Sequence, residues 1–137
     1  MFNWRDEFSC KISNFDNQHK KLFELGDHLH DLVSSQSDQD NYDEIMDTLY
    51  ELKEYTVYHF KAEEALMEKH RYPKLLSHKI EHDLFIDEVN KLFKKDVDDD
   101  QVKVSMDILQ FIANWIENHI LKSDSLYGEF LNKQGVY

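Results

Sequence analysis

A stripe of residues spaced four, three, four, three, four and three apart constrains this chain more than any other feature: Ile45, Leu49, Leu52, Thr56, His59, Glu63 and Leu66. Such spacing keeps side chains on one face of an α-helix, the face that packs inside a bundle. Apolar residues hold most of these positions, yet an imidazole and a carboxylate hold two. Burying such a group unpaired costs roughly 2 kcal/mol or more when neutral, and more when charged. A bound metal ion would offset that cost.

Similar stripes run along the rest of the chain, and with three Gly and one Pro there is little to interrupt helices. Residues 1 to 14 hold Phe2, Trp4, Phe8 and Ile12 without a helical period, which predicts an ordered, extended arm against the bundle. Asp16 is a candidate N-cap for a first helix ending near Ser34, with Phe15, His19, Leu22, Gly26, Leu29 and Val33 inward. A polar loop from Ser34 to Asn41 follows, and Asn41-x-x-Glu44 has the form of a capping box. The second helix runs to His70 and stops before Pro73, since proline disfavours helix in the residue preceding it. A third helix, from about Pro73 to Lys94, turns Leu75, His78, His82, Phe85, Val89 and Leu92 inward. After an acidic loop from Asp96 to Asp100, a fourth carries Ser105, Ile108, Ile112, Trp115 and His119. Asp124 breaks this rhythm, because five residues past His119 is about 140° round an ideal helix rather than about 40°. Either the helix is distorted or ends there, or Asp124 reaches the same place from another side. A short closing helix ends near Gly135. The expectation is all-α: one domain spanning residues 1–137, an up-down-up-down four-helix bundle with an extended N-terminal arm and a short C-terminal helix.

The charge of -12 argues against binding nucleic acid or an anionic membrane surface. No apolar run approaches the ~18 residues of a membrane span. Cys10 is the lone cysteine, which excludes an internal disulfide and fits a reducing compartment. With no basic and apolar leader at the start, the expected location is the cytoplasm.

Collected, the polar groups on or beside the inward stripes are His19, His59, Glu63, His78, His82, His119 and Asp124. A single HxxxH pair such as His78 and His82 is weak evidence for a metal. Five histidines and two carboxylates on four facing helices are strong evidence, because a bundle burying them unpaired would be hard to stabilise. Seven donors exceed a tetrahedral zinc site, and one octahedral ion would have a ligand too many. If two six-coordinate ions share both carboxylates and one oxygen atom, eleven of twelve positions are filled. One position stays open, on one ion only.

This arrangement resembles the hemerythrin family's diiron signature. It is carried by His19, His59-x-x-x-Glu63, His78-x-x-x-His82 and His119-x-x-x-x-Asp124, and by their settings Asp16-x-Gln18-His19, HFKAEE from His59 to Glu64 and WIENHI from Trp115 to Ile120. The resemblance covers nearly the whole chain and is nearest to the single-domain bacterial members. It implies two iron ions per chain with an oxo or hydroxo bridge, one iron bound by His78, His82 and His119, the other by His19 and His59. Glu63 and Asp124 would bridge them, and dioxygen would bind reversibly at the two-histidine iron. It further implies a dry pocket, for which Trp4, Phe60, Trp115, Ile116 and Ile120 are candidate lining residues; ordinary core packing is the competing reading for each.

The expected function is therefore oxygen carriage, storage or delivery rather than catalysis. Diiron oxygenases in bundles use carboxylate-rich sites with Glu-x-x-His motifs, and no such motif here contains a ligand histidine. A diiron enzyme acting on peroxide or nitric oxide is the alternative, and an iron or zinc buffer is a third reading, since zinc binds nitrogen donors more tightly than ferrous iron.

Overall fold

The computed structural model describes residues 3–34, 42–94 and 101–137. The polar loop after Ser34, the Asn41 capping box and the acidic loop from Asp96 lie outside them. Four long helices follow one another: α1 (Ser13–Ser34), α2 (Tyr42–Lys69), α3 (Leu75–Phe93) and α4 (Gln101–His119). A five-residue π-helical turn, Ile120–Asp124, joins α4 to α5 (Ser125–Lys133) without a break. α1 packs on α2 and α4, and α3 packs on the same two, so neighbours in sequence are neighbours in space. That ring of contacts is the up-down-up-down bundle expected from the stripes. No described helix is long and apolar enough to cross a membrane.

The inward stripes bury a main apolar cluster that includes Leu22, Leu29, Ile45, Leu49, Leu52, Phe85, Ile108 and Ile112. A second cluster, with Phe15, Met67, Tyr72, Tyr127 and Leu131, lies around the arm and α5. Between them sits the polar layer described below.

Two helix boundaries are set by local devices, the first of them at variance with expectation. α1 begins at Ser13, so Asp16 lies inside the first turn and its amide already donates to the Ile12 carbonyl, 2.9 Å. Its carboxylate instead fastens the arm, accepting from the Cys10 amide at 2.9 Å and the Ser9 hydroxyl at 2.5 Å. α2 ends before Pro73 by a device of its own. Arg71 adopts φ 55°, and the Tyr72 and Arg71 amides donate back to the Met67 and Glu68 carbonyls. That is a Schellman ending with a non-glycine residue in the left-handed region, followed two residues later by proline.

The arm is not wholly extended. Asp6–Phe8 form a single 3-10 turn, and Phe8, Cys10 and Ile12 are buried. Gly128 lets α5 close on the arm: a Cβ there would sit 2.2 Å from the Cys10 carbonyl oxygen. Asn132 adds a hydrogen bond from its amide to the Lys11 carbonyl, 3.0 Å.

Candidate metal centre

Each helix of the bundle delivers donors to one layer. α1 supplies His19, α2 supplies His59 and Glu63, α3 supplies His78 and His82, and α4 ends on His119. In α2 and α3 the pairs are four residues apart, which stacks them on one face. Asp124 arrives by way of the π turn. There the Ser125 amide donates to the carbonyl of Ile120, five residues back, so the turn takes in one residue more than an α-helical turn. The extra residue absorbs the misfit that the regular-helix spacing implied, and Asp124 Oδ1 lies 3.0 Å from His119 Nε2. The spacing is thus a helix distortion, one of the openings the sequence allowed. None of the seven side chains is more than 7% exposed.

The seven residues form two groups of donor atoms, each with its members within 4.8 Å of one another: His78, His82, His119 and Asp124, and His19, His59, Glu63 and Asp124. The carboxylates lie between the groups. Asp124 Oδ2 is 3.2 Å from His19 Nε2, while Oδ1 is 3.0 Å from both His78 and His119. Glu63 Oε1 contacts His59 and lies 3.9 Å from His19, and its Oε2 faces His78 at 3.8 Å. Each carboxylate thus presents one oxygen to each side.

The inward atoms lack hydrogen-bond partners. Nε2 of His19, His59 and His78 and all four carboxylate oxygens are buried without one. His82 and His119 bring Nε2 atoms within 3.0 Å of each other, a contact that a shared proton or shared cation accounts for. Buried polar atoms are rarely left so in folded proteins. Five nitrogens and two carboxylates converging in this way fit transition-metal ions of the iron and zinc type.

The outward ring nitrogens, in contrast, are mostly tied down. His59 Nδ1 donates to Gln18 Oε1 at 2.5 Å, His82 Nδ1 to Glu64 Oε2 at 2.9 Å and His119 Nδ1 to Glu81 Oε2 at 3.0 Å. Glu81 is itself held by the Ser123 hydroxyl, 2.7 Å away. Such acceptors fix ring orientation and leave Nε2 free to ligate. Glu64 therefore faces a histidine. Gln18 and Glu81 were missed. Their signal was adjacency: each precedes an inward histidine, and a step of ~100° puts it at the edge of the inward face.

Electrostatics follow from the crowding. Burial opposes charge on His19 and His119, but Asp124 and Glu63 at His19, and Asp124, Glu81 and Glu63 at His119, outweigh it and lift them to about 9 and about 10. Burial likewise opposes charge on Glu63 and Asp124, and the surrounding histidines hold both below the usual carboxylate range. Burial lowers His82, with Glu64 only partly restoring it. Glu81 falls to about 2, chiefly through its bond to His119.

Aromatic rings wall the layer. Phe60 lies flat on His82 at 3.8 Å, and Trp115 on His119 at 4.3 Å. Tyr127 meets His78 edge-on and Phe15 meets His59 likewise. Ile116 and Ile120 are buried in the cluster that contains Phe60. Trp4 is half-buried, with its ring against Phe8 and Phe23 and with Lys20 above it. His28 is exposed and His30 and His70 are partly so, away from the layer.

The family profile described as "Hemerythrin HHE cation binding domain" matches residues 10–131. A Bacteriohemerythrin of Clostridium acetobutylicum is 43% identical over 127 residues, spanning 93% of this chain and 98% of that protein. A Bacteriohemerythrin of Methylococcus capsulatus is 36% identical, spanning 92% of each. A crystal structure of wild-type hemerythrin superposes with a TM-score of 0.73 at 33% identity, covering 93% of this chain and 95% of that one.

Proposed function

The chain belongs to the hemerythrin family, and on that premise we propose that it binds dioxygen reversibly at a non-haem pair of iron ions, as a carrier, store or delivery protein rather than an enzyme. His78, His82 and His119 would hold one iron, His19 and His59 the other, with Glu63 and Asp124 bridging and an oxo or hydroxo group completing the bridge. One observation carries this reading: each buried carboxylate turns one oxygen to each histidine group, with no hydrogen bond to occupy it. When bound, the iron pair supplies the two electrons that dioxygen accepts and returns.

The chain's own residues supply selectivity. Three histidines against two leave the His19–His59 side short of a donor, which makes it the side for a small ligand. Gln18 orients His59 there, and Glu64 and Glu81 orient the three-histidine side. Phe60, Trp115, Ile116 and Ile120 present no hydroxyl or acid that could protonate a bound ligand; Trp4 closes the arm end of the apolar cluster. Water exclusion favours release of the gas unchanged.

Metal analysis of purified protein should give two irons per chain. Reduction without oxygen, admission of air and withdrawal of the gas should make a visible charge-transfer band appear and fade. Conversion in air to a stable oxidised spectrum with free peroxide would make the protein an enzyme instead. Zinc in place of iron would make it a metal buffer.

A further inference from the structure

On α3 the face opposite the histidines is apolar where solvent should meet it. Leu76, Ile80 and Leu84 are 72%, 50% and 63% exposed. Spaced four apart, they line up along the outside of the helix, diametrically opposite His78, His82 and Phe85, which are buried. Single exposed leucines need no explanation, but a row of three on one ridge does. Leu126, 47% exposed, extends the patch across a groove that Ser77 and Glu81 also line.

The charges beside the row have an order. Exposed Lys79 flanks it toward the N-terminal end and exposed Asp83 toward the C-terminal end, on the same side of the ridge. Among the described residues neither joins an ion pair. We propose that α3 is a self-association face, on which a second copy of this chain docks its own α3 antiparallel about a two-fold axis through Ile80. Such an axis sets Ile80 against Ile80 of the other copy and Leu76 against its Leu84. It also brings Lys79 of each copy beside Asp83 of the other, twice. Isologous contacts of this kind are the commonest in homo-oligomers.

The contact is small. The row offers a few hundred Å² per chain, under the ~800 Å² of a standard stable interface. The charge of -12 on each copy also opposes approach, most strongly at low salt. The dimer is therefore a weak, concentration-dependent one, independent of the gas-binding reading.

Sedimentation velocity of the full chain, iron-loaded and at physiological ionic strength, tests it across micromolar to millimolar concentrations. The weight-average mass should rise toward two chains at the upper end. Ile80→Glu puts two carboxylates on the axis and should hold the protein monomeric throughout, with unchanged circular dichroism and iron content. Lys79→Glu and Asp83→Lys should each weaken association several-fold, and the double swap should restore it. A wild-type chain that stays monomeric overturns the proposal. So does association that ignores Ile80→Glu, or single charge changes that the double swap fails to rescue.

Discussion

The inward stripe crosses two different interiors. Toward one end it is filled by Leu29, Val33, Ile45, Leu49, Val89 and Ile108, none more than 4% exposed. Toward the other the same helical phase carries His19, His59, Glu63, His78, His82, His119 and Asp124, which are buried almost as completely. Equal burial conceals opposite energetics. The apolar end gains from every Å² taken out of water, roughly 25 cal/mol each. The polar end loses by the same removal; attraction between its histidines and carboxylates returns part of that loss, and its orphaned atoms are left for a bound metal to satisfy. On the proposed reading, then, one half of the bundle owes nothing to metal while the other depends on it.

The largest test of that contrast is Glu63→Ala. It should empty the site and bring the melting temperature down to that of the metal-free protein. With free metal a thousand-fold above Kd, the linkage lost is about 4 kcal/mol. Retention of both irons and an unchanged spectrum would refute the ligand assignment. In the apolar half, Leu49→Ala should cost about 2–5 kcal/mol in urea unfolding, by the same amount with and without metal. A cost that depended on metal would join the two halves that the contrast separates.

Next in size is Glu81→Gln, which removes the charge that orients His119 and leaves the fold intact. Metal retention against a chelator should weaken by about 10–100-fold, the usual effect of losing such an acceptor. The smallest effect per step is that of pH on the metal-free protein, at most about 1.4 kcal/mol per unit for each proton. His19 and His119 are held at about 9 and about 10 against an ordinary 6.5. Their contribution is complete below that ordinary value and is lost as pH climbs through the raised ones. Glu63 and Asp124, held down, act in the other sense, contributing above the usual carboxylate range and failing as acid reaches their lowered values. Melting temperature against pH should therefore crest between the two in the metal-free protein. In the loaded protein the histidines are already deprotonated, so the alkaline decline should disappear.

How far the sequence could be followed depended on whether a residue obeys a period. The four stripes, and with them the helices and six of the seven donors, were legible because burial repeats every 3.6 residues. Asp124 was readable only as an irregularity, since nothing in the letters Ile-Leu-Lys-Ser-Asp says that a turn will widen. Asp16 looked like a cap by residue type; its real partners, Ser9 and Cys10, belong to an arm with no period to follow. Gln18 and Glu81 act across helix boundaries, on His59 and His119, so their role depends on how two helices are rotated about each other. The left-handed Arg71 that ends α2 left no glycine to announce it.

The widened turn has a consequence beyond the carboxylate it aims. Were the segment to straighten into ordinary α-helix with all its residues kept, everything after it would swing by about 100°. Asp124 would leave His119, and in the same motion Gly128 would leave the Cys10 carbonyl it closes upon. A single surplus residue thus sets the phase of both the inner charge and the clasp on the N-terminal arm. Neither can be turned without turning the other, since both lie downstream of the same widened turn, although every side chain at both places would be unaltered.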